Sequence, residues 1–363
     1  VGGGLAGGSA VDAIRELDDE GSIALVTQEP HRPYERPPLS KGFLTGKTSR
    51  DDIYLHPKEN YSRQNVDLFE QVRVTGLSTG TRIVTLDDGR MLKYGRLLLA
   101  TGGRARRLDL PGANLPGVFT LRTVEDSIAI RAAAGEGQPV LVLGGGFVGA
   151  EVAASLNRLG ARVTMVYRAE RILKPVVPQE LGDLLNRIYT EQGVRLLSET
   201  TVERFEGREI LEGAVLDNGE TLDTSLAVMG AGIDLNTDLA ERGGLETADD
   251  GGVLVDCTLC TSSHHVFAAG DIAAWPDPVS GRRLRVEHWD VARTMGLRAG
   301  RNMAGEMEPY TSLPYFFSDL FDLSFEVWGN LDSWDQTILR GSLDQRSFAF
   351  YYFDEGRMVG VLA

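Results

Sequence analysis

Two glycine-rich turns, each opening an alanine-rich helical stretch, and a closing stretch of aromatic residues in strand-like alternation predict an α/β chain. The expected architecture is two Rossmann-like dinucleotide-binding domains built on parallel sheets, followed by a smaller C-terminal α+β domain. The turns are Gly2-Gly3-Gly4-Leu5-Ala6-Gly7 and Gly144-Gly145-Gly146-Phe147-Val148-Gly149, 142 residues apart.

In the first unit the pattern predicts a helix over residues 10–17 and a strand over 23–27; only a leading strand is missing. The second unit has its full context, with a strand over 140–143, a helix over 150–159 and a strand over 162–166. In each turn one glycine allows the bend, one lets backbone approach a pyrophosphate and one packs helix against strand, while the helix N-terminus faces the phosphate charge. The plainer reading is a pair of glycine-rich turns in an α/β fold.

After each unit the chain runs through polar hairpins into a buried strand that ends in small residues, 97–102 with Ala100-Thr101-Gly102 and 226–232 with Gly232. Each finishes its sheet. Residues 111–116 carry the Pro and Gly that suit a crossing between domains, and a second crossing follows Gly232. Residues 253–255 then lead to Val266-Phe267-Ala268-Ala269-Gly270-Asp271, an apolar strand ending in an acid. The predicted domains are 1–112 with 233–309, 113–232, and a C-terminal interface domain over 310–363. Val1 has no strand before it and residues 358–363 read as an unfinished strand, so both ends are expected to be trimmed.

Composition narrows the function classes. The 363 residues suit two or three domains at roughly 150 residues each. No run approaches the roughly 18 apolar residues of a membrane span, so no membrane association is expected. Glycine is abundant at 43 residues, which suits turns that bring backbone close to a ligand. With 37 basic against 52 acidic residues the net charge is −15, which opposes binding to nucleic acid or anionic membranes. Cys257 and Cys260 are the only cysteines, too few for a disulfide scaffold, and no charged-then-apolar leader precedes the first unit. A reducing cytoplasm is the expected compartment.

Glu29 lies about 20 residues beyond the first glycines, where an acid accepts hydrogen bonds from ribose hydroxyls. Combined with Tyr34-Glu35-Arg36-Pro37-Pro38-Leu39-Ser40-Lys41, Ala100-Thr101-Gly102-Gly103, Leu121-Arg122-Thr123, Phe267-Ala268-Ala269-Gly270-Asp271, Glu287-His288-Trp289 and Tyr315-Phe316-Phe317-Ser318-Asp319, it makes a specific pattern. The chain resembles, over essentially its whole length, the FAD-dependent ferredoxin reductases of bacterial oxygenase systems, of the putidaredoxin reductase and rubredoxin reductase type. These fall within the pyridine nucleotide-disulfide oxidoreductase superfamily.

The resemblance implies FAD in the first unit and a nicotinamide cofactor in the second. Under it Gly2, Gly4, Ala6 and Gly7 form the FAD pyrophosphate turn and Glu29 meets the adenosine ribose. Arg36, Lys41, Val74, Ala100, Thr101, Gly102 and Arg122 line the FAD, Asp271 holds the ribityl chain and Trp289 sits by the flavin ring. Gly144, Gly146, Phe147, Val148, Gly149 and Gly232 hold the nicotinamide cofactor, with Tyr167, Arg168 and Arg171 at its adenosine end. The resemblance also pairs Lys41 with Glu151 beside the flavin's reactive nitrogen, as groups that tune the flavin without acting as nucleophiles. On residue pattern alone a plainer reading stands beside each: Asp271 as an N-cap before Ile272-Ala273-Ala274, Lys41 as a solvated lysine, and Glu151 as a first-turn acid favoured by the helix dipole.

One departure concerns the donor. Where an acid usually ends the second strand of an NADH site, this chain has Val166-Tyr167-Arg168, with Arg171 three residues later. No carboxylate repels a 2′-phosphate, and two guanidiniums could grip one, so the sequence leans to NADPH or dual use with NADH. The alternative is that both arginines are merely exposed.

Relatives that reduce disulfides place a cysteine pair, and peroxidase-type relatives a single cysteine, in a stretch corresponding to residues 33–44, which here hold none. A thiol relay there is excluded. Cys257-Thr258-Leu259-Cys260 has redox spacing, but zinc would need two further ligands, and the five histidines form no obvious set. No metal site is expected. The acceptor is then external, and a one-electron iron–sulfur ferredoxin suits a flavin that releases electrons singly. Arg282, Arg283, Arg285, Arg293, Arg298 and Arg301 crowd around Glu287-His288-Trp289 and would steer an acidic partner, or are ordinary charged helix faces. Rival readings are a monodehydroascorbate reductase or apoptosis-inducing-factor-like oxidoreductase, and a redox-sensing interaction flavoprotein. Either a monomer or a homodimer is compatible with the sequence.

Overall fold

The computed structural model describes residues 1–174, 176–331 and 333–363. It divides into two compact units, each gathered from three stretches of chain. Val1–Glu35, Arg50–Arg104 and Asp234–Pro314 form the first, and Arg36–Ser49, Ala105–Ile233 and Tyr315–Ala363 the second.

In the first unit, strand Ile23–Val26 pairs in parallel with Val66–Phe69, and Leu97–Leu99 pairs in parallel with Val266–Ala268. Val1 and Gly2 join the two ladders. The Ala100 amide donates to the Val1 carbonyl at 2.8 Å, and the Gly2 amide donates to the Val26 carbonyl at 2.9 Å. The glycine turn therefore leaves the middle of a parallel arrangement, where Leu25, Val26, Leu99 and Phe267 are buried.

The helix that follows spans Leu5–Arg15, starting five residues earlier than the sequence pattern predicts. Gly7 and Gly8 disguise its first turn, because glycine is a poor helix former. Their lack of a side chain is required: a Cβ on Gly7 would lie 2.1 Å from the Gly2 carbonyl oxygen, and one on Gly8 2.6 Å from the Leu55 side chain. Helix Trp289–Ala304 packs on the same helix through glycines one turn apart. A Cβ on Gly296 would stand 2.3 Å from the Ala6 carbonyl oxygen and one on Gly300 2.5 Å from that of Ala10. Backbone meets backbone there.

Asp271 lies in a 3-10 turn, Gly270–Ile272, and the chain continues as strand Ala273–Pro276. No helix follows, so the N-cap reading of Asp271 does not hold; Ala273 pairs in parallel with Val253 instead. Where the chain leaves and re-enters this unit, two segments are fastened together. Thr101 Oγ1 donates to the Asn236 carbonyl at 2.6 Å, and Asn236 Nδ2 donates to the Thr101 carbonyl at 2.9 Å.

The second unit carries a five-stranded parallel sheet in the order Arg195–Leu197, Arg162–Val166, Pro139–Leu143, Leu226–Met229, Val118–Thr120. Its two central strands, Pro139–Leu143 and Leu226–Met229, are continuous apolar runs, as expected where both faces are covered. Helix Phe147–Arg158, capped by Gly146, starts three residues before the predicted position, for the same reason as its counterpart. A Cβ on Gly149 would lie 2.1 Å from the Gly144 carbonyl oxygen. The C-terminal stretch forms a five-stranded antiparallel sheet ordered Tyr315–Leu320, Leu323–Gly329, Arg357–Leu362, Ser347–Asp354, Gln336–Ser342. It meets the glycine-led helix through Phe147, whose ring stands edge-on to Phe316 at 5.0 Å. Among the described residues no helix is long and apolar enough to cross a membrane.

Candidate active site

Both glycine turns leave a helix N-terminus open to an anion. Gly4 and Gly146 occupy the N-cap positions with extended backbone, neither helix has a side-chain cap, and neither has an acid in its first turn. The first-turn amides thus stay unopposed by side-chain charge. A Cβ on Gly4 or Gly146 would meet nothing within 4 Å, so open space lies where a phosphate would approach. In contrast Gly2, Gly7, Gly144 and Gly149 are locked against backbone. The cradles fit a dinucleotide pyrophosphate at each turn.

Around the first cradle, the Tyr34 hydroxyl donates to Glu29 Oε2 at 2.5 Å, fixing the carboxylate at the end of its strand. Ala6, Val74 and Ala100 are buried in the apolar core of this unit, and Thr101 and Gly102 lie on the fastened segment. Trp289 begins the helix that packs on the glycine-led one and is half-buried.

Arg36 and Arg122 belong to the second unit, where the Arg36 guanidinium donates to the Arg122 carbonyl. Around the second cradle, Val148 is 43% exposed at the first helical turn and Gly232 has open space around it. Tyr167 is 3% exposed, with Gly145 directly against its ring, where a Cβ would come 3.0 Å from it. Tyr167 therefore props the turn. Burial pushes its hydroxyl up to about 12. Arg168 is exposed, whereas Arg171 is already engaged, 3.3 Å from Glu170 and 3.9 Å from Asp183.

The most ordered polar cluster centres on Glu151, only 8% exposed in the second turn of its helix. Lys41 Nζ stands 3.3 Å from Glu151 Oε1 and 3.0 Å from Asp319 Oδ2, and 4.4 Å over the Phe317 ring. Ser40 Oγ donates to Glu151 Oε2 at 2.6 Å, and Ser318 Oγ donates to Oε1 at 3.0 Å. Ser155 Oγ donates to the Ser40 carbonyl at 2.6 Å, tying the loop to the glycine-led helix. Burial pushes the Glu151 carboxyl above the usual range, and Lys41 with the two hydroxyls only partly oppose it. At Asp319 burial acts the same way, but the Ser324 hydroxyl and Lys41 outweigh it and hold that carboxyl low.

Lys41 is thus neither solvated nor alone, and Glu151 is more than a dipole-favoured surface acid. Sequence reading missed Ser40, Ser318 and Asp319 as partners of this pair. A signal was present: Ser-Asp closing a run of three aromatics in a strand puts polar groups beside a buried apolar row.

Other expected features have plainer settings. Asp256 Oδ1 accepts from the Thr258 and Cys260 amides, so the Cys257–Cys260 stretch is an Asp-fastened turn with Cys257 exposed and Cys260 buried. No group of three or more metal-binding side chains is placed to hold an ion among the described residues. Much of the arginine cluster is paired locally: Arg285 with Asp250 and Glu287, Arg298 with Glu306, and Arg301 with Glu306 and Glu16. Arg282 and Arg293 remain exposed.

Comparison with known proteins agrees with this arrangement. Residues 1–296 match the family described as pyridine nucleotide-disulphide oxidoreductase, and residues 315–363 match the reductase C-terminal family. The chain is 35% identical, over 99% of its length and 88% of the relative's, to the 5,5′-dehydrodivanillate O-demethylase ferredoxin reductase subunit of a Sphingobium species. It is 32% identical, over 100% of its length and 88% of the relative's, to the ferredoxin–NAD(+) reductase subunit of the benzene 1,2-dioxygenase system of Pseudomonas putida. Its fold matches the reductase in the covalent putidaredoxin reductase–putidaredoxin complex with a TM-score of 0.96 at 31% identity, covering 100% of this chain and 88% of that one. Membership of this family implies FAD, and the two open glycine cradles fit a pair of dinucleotides. The chain belongs to the pyridine nucleotide-disulphide oxidoreductase family, carries the reductase C-terminal domain, and is an oxidoreductase.

Proposed function

We propose that the protein is an NAD(P)H-dependent flavoprotein that passes electrons to a small ferredoxin serving an oxygenase. The observation that carries the reading is the Lys41–Glu151 ion pair, with its two serine clamps, in a cysteine-free segment where disulfide-reducing relatives need thiols. Relatives named as ferredoxin reductase subunits, similar along the whole chain, support the same acceptor. Bound FAD would supply the switch from a hydride donor to one-electron release.

The chain's own residues divide the remaining tasks. Gly2, Gly4, Ala6 and Gly7 would bring amides to the FAD pyrophosphate and Glu29 would accept from its ribose. Asp271, Trp289, Arg36, Val74, Ala100, Thr101, Gly102 and Arg122 would line the rest of the FAD. Gly144, Gly146, Phe147, Val148, Gly149 and Gly232 would hold the nicotinamide dinucleotide over its own helix end. Lys41 would set positive charge beside the flavin, with Glu151 able to hold a proton nearby.

Donor choice turns on Arg168. Relatives named for NAD(+) favour NADH, and Arg171 is occupied by Glu170 and Asp183. The exposed Arg168, with no carboxylate at the strand end, leaves room for a 2′-phosphate, so we infer use of both donors. An absorbance spectrum of the purified protein, before and after NADH or NADPH, tests flavin content and donor together. Turnover with a panel of ferredoxins then tests the acceptor, and failure with every one would overturn it.

A further inference from the structure

Lys41 faces two carboxylates, and they are unequal. Glu151 is buried, while the Asp319 side chain is 43% exposed and fixed by Ser324 Oγ, which donates to its Oδ1 at 2.7 Å. One ammonium cannot neutralise both. The buried carboxylate bears the larger desolvation cost, so of the two it is the one more readily protonated. Its two hydroxyl neighbours suit either state: a hydroxyl donates to a carboxylate and also accepts from a carboxylic acid.

We propose that Asp319 is a positioning residue for the Lys41–Glu151 pair: as the fixed counter-ion of Lys41, it frees Glu151, held between Ser40 and Ser318, to take up a proton. Asp319 holds the amine by the shorter contact, 3.0 Å against 3.3 Å to Glu151. The other groups nearby do not compete for this role. Tyr189 donates its hydroxyl to the Ala150 carbonyl at 2.8 Å, and the Arg158 guanidinium is turned to the Phe321 carbonyl and ring. Removing the Asp319 charge would leave Glu151 as the sole partner of Lys41, and the pair would then be held as two ions. The inference rests on reading this pair as the group beside the bound flavin, but its test does not depend on turnover.

The test is an infrared pH titration of the full-length holoprotein, following the carbonyl stretch of the buried carboxylic acid, with FAD content measured on the same samples. Glu151→Gln identifies the band by its loss. In Asp319→Asn the band should vanish at lower pH than in the wild type, and Asp319→Glu should restore the wild-type titration. Ser324→Ala, which keeps the charge but loosens its position, should shift the band the same way by less. A wild type with no such band, or a midpoint unmoved in Asp319→Asn, would overturn the proposal; if that variant does not fold, an unmoved midpoint in Ser324→Ala would do so. Protein that carries no FAD would sink the functional reading alone, since the titration would still decide the role of Asp319.

Discussion

Gly296 packs so closely on Ala6 that any side chain there would run into the Ala6 backbone. In an open helix, exchanging glycine for alanine gains about 1 kcal/mol. Here the obstacle is main chain that cannot swing aside, and overpacking costs roughly 1–3 kcal/mol or more. Gly296→Ala is therefore expected to lose about 2 kcal/mol net in urea unfolding, and to weaken FAD retention, because Ala6 carries the first glycine turn. A stabilised variant would contradict this.

The two kinds of glycine in the second turn should separate fold from binding. Gly149→Ala drives a methyl group toward the Gly144 carbonyl and should yield unfolded or severely destabilised protein. Gly146→Ala meets open space, so it should cost under about 1 kcal/mol as a poorer N-cap yet weaken NADH binding by obstructing the phosphate. Thermal melting beside NADH titration distinguishes the two.

Glu151 sets a pH dependence with a definite sign. Its carboxyl titrates higher in the folded chain than in the unfolded one. Its contribution is thus fully present below the unfolded value and is lost as pH rises through the folded one. Glu151→Gln removes that loss, so the variant should gain stability relative to the wild type toward alkaline pH. Melting temperatures of both proteins across pH check this, and parallel curves would contradict it.

Arg168 and Arg171 should behave differently. Arg168→Ala is expected to raise the KM for NADPH about tenfold, the worth of one hydrogen bond to a charged group, and to leave NADH unaffected. Arg171→Ala removes two partly exposed ion pairs, worth under about 1 kcal/mol, and should touch both donors equally and slightly. Steady-state kinetics with each donor settle the matter.

The glycine turns, the parallel strands around them and the end of the strand at Asp271 were legible in the sequence, because they obey local rules of period and turn chemistry. Helix starts were not. Gly7, Gly8 and Gly149 read as breaks, yet they stand inside helices where close contact, with backbone at Gly7 and Gly149 and with the Leu55 and Pro33 side chains at Gly8, leaves no room for a side chain. Tyr167, expected at the adenosine end of the cofactor, is 3% exposed and packs its ring against Gly145, a contact the sequence does not show. The partners of Lys41 were hidden for another reason: Asp319 lies 278 residues away, and only the folded second unit brings it to 3.0 Å. Arginine spacing was equally uninformative, since one acid paired with each of Arg285 and Arg301, Asp250 and Glu16, comes from another segment.

The mutual clasp of Thr101 and Asn236 has a consequence for how such chains can be built. Exit and return are held together inside the first unit, so the long excursion between them closes on itself there, whatever its length. Loop closure adds little entropy per added residue, which makes that junction a natural port for grafting. A foreign domain with adjacent ends, spliced between those two residues, should leave the FAD-type half able to fold.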